Sequence, residues 1–134
     1  MKKIISLTTI LALIVLILGC SKDAMEQSST FTFKMEMSKA TSSSPIFFDV
    51  TLYEYSASNE RIANHEVRNA YFGSSKKFTA NSQAQKVKVY FKMYAESSAV
   101  VPQYRWINQV YYLEKGKNVY ISLADDTRIV THEP

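Results

Sequence analysis

From Lys86 to Tyr94 the chain reads Lys-Val-Lys-Val-Tyr-Phe-Lys-Met-Tyr, and a half-buried strand is what this pattern allows. Val87, Val89, Phe91 and Met93 recur at every second position, with Lys86, Lys88, Tyr90, Lys92 and Tyr94 between them. Successive side chains of a strand point to opposite faces, so the apolar set lines one side and the Lys/Tyr set the other. A helix would scatter both sets around its axis and leave no apolar stripe.

The same period recurs along the chain. Phe31, Phe33, Met35 and Met37 alternate with Thr32, Lys34 and Glu36, and Phe48, Val50 and Leu52 alternate with Asp49, Thr51 and Tyr53 through about Tyr55. Lys39 to Pro45 reads as a loop, Ser56 to Asn59 as a turn, and Glu96 to Gln103 as a loop holding Pro102. Residues 60–72 fit two patterns. Asn59 could cap a short helix with Ala63, Val67 and Tyr71 at helical spacing. The strand is preferred because its neighbours are strands. Ser74 to Lys77 reads as a turn, Phe78 to Ala80 as a brief strand and Asn81 to Ala84 as a further turn. Tyr104 to Leu113, Val119 to Ala124 and Thr127 to Thr131 then form a three-strand antiparallel meander, its last turn at Asp125-Asp126.

About seven or eight short strands at this spacing predict an all-β fold, an antiparallel β-sandwich of immunoglobulin-like or transthyretin-like type, with a small up-and-down β-barrel as the alternative. Nine Tyr and seven Phe among 134 residues suit such pleated, half-buried surfaces.

The first residues carry a different signal. Lys2 and Lys3 precede a mostly apolar run from Ile4 to Leu18, which closes on Leu16-Ile17-Leu18-Gly19-Cys20. A basic start, an apolar core and a small residue at the cut describe a secretory leader. The run is about fifteen residues, against roughly twenty for a spanning helix. Its ending resembles the lipobox of bacterial lipoproteins, which implies cleavage before Cys20 and lipid attachment to that sulfur. Lipidation accounts for a lone cysteine in an exported chain, and no disulfide can form within it. Ser21 to Glu26 is short, polar and partly acidic. It is similar to the signal that sends some Bacteroidota lipoproteins to the cell surface, and it serves equally as a spacer. With Ser21 after the cysteine, the resemblance implies an outer-membrane or surface location in a bacterial envelope.

The expected organisation is therefore a signal peptide over 1–19, a lipidated cysteine and tether over 20–30, and a β-sandwich over 31–134. The tether reaches at most about 35 Å. The full chain holds 16 Lys and Arg against 12 Asp and Glu. Two of those cations lie in the leader, so what remains is nearly balanced and nothing argues for nucleic acid.

Catalytic motifs are missing. His65 and His132 have no partners at ligand spacing, so they read as surface histidines; no metal or cofactor is expected. Asp125 and Asp126 sit side by side in a turn, whereas catalytic carboxylate pairs face one another across a substrate. The serines at 42–44 lack the setting of a nucleophile elbow. Trp106 reads as a core aromatic first and as a binding contact second.

The suggestive feature is the polar side of 86–94. If it shares a sheet with 48–55, then Tyr53, Tyr55, Tyr90 and Tyr94 stand beside Lys86, Lys88 and Lys92. Amphipathic rings edged by cations suit a glycan or an envelope protein, and cross-strand stabilisation of the sheet explains them too. The expected role is a non-enzymatic binding or assembly module held to a membrane by its lipid. The alternative is an accessory or inhibitory lipoprotein docking on a larger membrane machine, with the 96–103 loop as one docking element. An enzyme is the least supported class.

Overall fold

A computed structural model describes residues 27–40, 46–95 and 103–134. Cys20, the leader, most of the tether, the serines at 42–44 and residues 96–102 of the expected loop lie outside these. Among these described residues nine strands form two sheets: β1 (Thr30–Glu36), β2 (Ile46–Tyr55), β3 (Arg61–Ala70), β4 (Ser75–Thr79), β5 (Lys86–Ala95), β6 (Gln103–Ile107), β7 (Tyr111–Tyr112), β8 (Asn118–Ala124) and β9 (Ile129–Val130). The small sheet has the order β4-β1-β8, the large one β3-β2-β5-β6-β9, with β7 also paired to β5. The fold is a β-sandwich and not a closed barrel. Immunoglobulin domains put their second and third strands in opposite sheets. Here β2 and β3 are neighbours in one sheet, so the order departs from that type. The transthyretin-like type is the one of the two expected forms that remains.

The alternation does what it promised. β1 turns Phe31, Phe33 and Met35 inward, fully buried, and β2 turns Phe48, Val50 and Leu52 inward. Val87, Val89 and Phe91 of β5 meet them, with Ile107 of β6 and Ile121 and Leu123 of β8. At roughly 2 kcal/mol for each fully buried large apolar side chain, these inner faces are the main drive for folding.

Within residues 60–72, Arg61–Ala70 is strand rather than helix: β3 pairs antiparallel with β2, though with two register shifts. One lies beside Asn69, which has φ 51° and whose N–H donates to Asp49 Oδ1 at 2.9 Å. The other, near Ile62, returns Arg61 to the outer face opposite Tyr55.

Three expectations need correction. Ser74 to Lys77 is not the turn; the chain reverses at Phe72-Gly73, with Gly73 at φ 89°, where a side chain would be strained. Lys76 and Lys77 already belong to β4, where an edge position lets their ammonium groups reach water. Tyr104 to Leu113 is broken at Asn108, whose N–H donates to the Arg128 carbonyl instead of to a β5 partner. The meander does not form either. After β7, which still pairs with β5, the chain crosses to the small sheet, where β8 runs parallel to β1 over the whole of both strands, and β9 returns to pair with β6. Apolar alternation says that a strand is half-buried but not which sheet takes it.

Candidate functional site: the outer face of the large sheet

The β2–β5 register sets Phe47 opposite Tyr94, Asp49 opposite Lys92, Thr51 opposite Tyr90, Tyr53 opposite Lys88 and Tyr55 opposite Lys86. All seven expected residues therefore share one face. β6 adds Trp106 opposite Tyr90 and Tyr104 opposite Lys92.

The rings make a connected platform. Tyr90 lies 5.0 Å from Trp106 and 5.9 Å from Tyr104, and Tyr53 lies 5.7 Å from Trp106. Phe47 stacks on Tyr94 at 4.8 Å with an 11° interplanar angle. Offset and tilted contacts of this kind favour each pair by about 1 kcal/mol beyond the area buried. Cations bracket the platform. The Arg61 guanidinium sits 3.9 Å above the Tyr53 ring, and Lys92 Nζ lies 4.4 Å from the Tyr94 ring and 5.0 Å from that of Tyr104.

Two of the expected residues are covered. Tyr55 is 4 % exposed and Lys88 9 %, because the segment after β9 folds over them. Glu133 Oε1 accepts from Lys88 Nζ at 2.9 Å, and its Oε2 accepts from Arg61 Nη2 at 3.3 Å. Arg61 also donates to the Tyr55 hydroxyl at 3.1 and 3.2 Å. Burial raises the Tyr55 phenol above its ordinary value, and the Glu133 carboxylate adds to that. For Glu133, burial works upward, but the bonds from Lys88 and Tyr55 and the charges of Lys88 and Arg61 outweigh it and hold the carboxyl below the usual range. A depressed carboxyl stabilises the fold above its unfolded value and loses that contribution as pH falls through the folded one. Glu133→Gln is thus expected to lower the Tm by about 2 °C at neutral pH, with the gap closing below about pH 4, read by circular-dichroism melts of both proteins.

Trp106 is the residue sequence reasoning misplaced. It lies on the outer face among tyrosines and outside the apolar core. Its strand has no clean alternation: Ile107 is inward, but Arg105 shares its parity. Arg61 was also missed, since only the register shift in β3 brings it round.

His65 is not a surface residue. It faces inward from β3 with its side chain 24 % exposed, packs edge-on against Phe31 at 5.4 Å, and sets Nε2 2.5 Å from Glu54 Oε1. Glu54 is fully buried, and its other oxygen accepts the Asn81 N–H at 2.8 Å. His132 is exposed. Asp125, in the turn after β8, accepts the N–H of Ser38 just beyond β1 at 3.1 and 3.2 Å. Among the described residues no three His, Cys, Asp or Glu converge as a metal centre would require, and no helix is long and apolar enough to cross a membrane. Compared with protein-family models, curated proteins and solved structures, the chain matches none.

Proposed function

We propose that this chain is a lipid-anchored, non-enzymatic binding module of a bacterial envelope, on the outer membrane or cell surface, that grips an anionic glycan on the outer face of its large sheet. The observation that carries the reading is the platform of Tyr53, Tyr90, Tyr104 and Trp106, bracketed by Arg61 and Lys92. Ring faces are electron-rich and attract the polarised C–H groups of a sugar ring. Tyrosine hydroxyls supply hydrogen bonds at the rim, and the two cations meet carboxylate or sulfate groups. The lipobox-like ending at Cys20 supports the anchor. With several acyl chains such an anchor holds stably.

Two measurements test this. Radiolabelled palmitate should enter the full chain and fail to enter Cys20→Ser; equal labelling of both removes the anchor. The detergent-solubilised full chain should bind uronate- or sulfate-bearing polysaccharides over neutral ones, and Tyr90→Ala with Tyr94→Ala should abolish the preference. If that double variant binds as wild type does, the face is wrong. One feature favours the second reading, docking on a membrane machine: Tyr71 and Phe72, at the β3–β4 reversal, are 48 % and 53 % exposed. Loss of a co-purifying envelope protein on Phe72→Ser, without loss of glycan binding, would select it.

A further inference from the structure

A sheet edge is an open template for another strand unless something blunts it. Among the described residues the other long edges, and the short strand at the far end of the large sheet, are blunted. β4 carries Lys76 and Lys77. β3 carries Arg61, Glu66 and Arg68 and is shifted twice in register. β9 is two residues long. β8 has no such device: Asn118 to Ala124 reads Asn-Val-Tyr-Ile-Ser-Leu-Ala, without charge, proline or glycine, and β1 is its one strand partner.

The direction of its backbone groups can be read off. The Thr30 N–H donates to the Lys117 carbonyl, so odd-numbered residues turn toward β1. Even-numbered residues face away. Ala124 is closed by Thr127, whose Oγ1 accepts its N–H at 2.8 Å and whose N–H donates to its carbonyl. Asn118, Tyr120 and Ser122 present theirs to the open edge. Alongside runs a groove of about 460 Å³, lined by Tyr120, Ser122 and Ala124 of this segment and by Asn108, Gln109 and Arg128 among others.

We propose that this edge is an interface with a second copy of the chain, β8 pairing antiparallel with β8 about a two-fold axis at Ile121. That register matches all seven residues and sets Tyr120 opposite the partner's Ser122, even against even, so both backbone bonds can be exchanged. Val119, Ile121 and Leu123 stay on the inner face in both copies. Charge specifies the register. One residue beyond each strand end it places Lys117, which pairs with Glu114 within its own chain, against the partner's Asp125, twice by symmetry. Moving the axis to Tyr120 leaves Lys117 facing the partner's Leu123, and moving it to Ser122 leaves it facing the partner's Thr127. Each alternative loses that attraction. The contact is self-complementary, as a two-fold interface must be. Tyr120, 70 % exposed in the single chain, is covered by it. The pairing is independent of what the aromatic face binds.

The test is a zero-length carbodiimide crosslink on the detergent-solubilised full chain, mixed from isotopically light and heavy preparations. Lys117 and Asp125 sit at opposite ends of β8, roughly 25 Å apart within one chain, beyond the reach of such a bond. A mixed-isotope peptide joining them is expected. It should vanish in Ser122→Pro, which removes an N–H facing the open edge, together with the hydroxyl that donates to Glu36 of β1, and leaves the β1 backbone ladder in place. It should vanish in Lys117→Asp and return, with the roles reversed, in Lys117→Asp combined with Asp125→Lys. Absence of the mixed-isotope peptide in the wild type overturns the proposal. So does its persistence in a folded Ser122→Pro protein, or, where that variant unfolds, failure of the reversed charges to restore it.

Discussion

Replacing Glu54 with alanine is expected to destabilise the domain by about 3 kcal/mol, a fall in Tm of roughly 12 °C. The carboxylate is fully buried, with His65 on one oxygen and the Asn81 N–H on the other. Its removal takes the acceptor from the part-buried Asn81 N–H and leaves an imidazole with rings on two sides, Phe31 at 5.4 Å and Phe78 at 4.7 Å. Uncompensated polar groups in such a place cost more than the intact pair contributes, because the pair already carries its own desolvation. Glu54→Gln, which keeps the shape and an acceptor for Asn81, should cost about half as much. The apolar double variant, Glu54→Leu with His65→Phe, should recover most of the alanine loss. Urea unfolding of the four proteins checks this. A Glu54→Ala change within about 0.5 kcal/mol of wild type would mean that water reaches the carboxylate.

Trp106→Ala should weaken glycan binding about fiftyfold, while Trp106→Phe should weaken it only a few-fold. The indole holds the middle of the platform, in contact with Tyr53 and Tyr90 at once. Without it both rings lose a neighbour and the flat surface a ligand would cover is split. Large central aromatics ringed by less important contacts behave this way at interfaces. The loss should be separable from folding, since the indole lies outside the core and truncation opens no internal cavity. Calorimetric titration with an acidic polysaccharide, beside thermal melts, reads both. Equal affinity for Trp106→Ala and wild type would remove Trp106 from the site.

How much of this was legible in the chain differs from residue to residue. The inward faces of β1, β2 and β5 were legible because their apolar residues keep strict alternation, and the Lys/Tyr face followed from the same parity. Glu54 was not, since an acid at an inward position breaks the pattern and is rescued only by His65, eleven residues away. Trp106 was misplaced because Gln103–Ile107 offers no clean apolar side, so the β5 register decides it. Lys76 and Lys77 resembled a turn because an edge strand tolerates the charges a turn prefers. The parallel pairing of β1 with β8 left no local trace, as strand partners distant in sequence never do.

That pairing has a consequence for when the domain can form. Thr30 and Asn118 share a side-chain hydrogen bond across 88 positions, and β1 acquires its second neighbour only once residues 118–124 are available. Closing so long a loop is entropically costly, and contacts of this span slow the search for the native state. During synthesis, then, Phe31, Phe33 and Met35 must wait until residues 118–124 have been made for the far side of their shelter. An emerging chain of this kind stays unfinished and open to chaperones until that late strand has arrived.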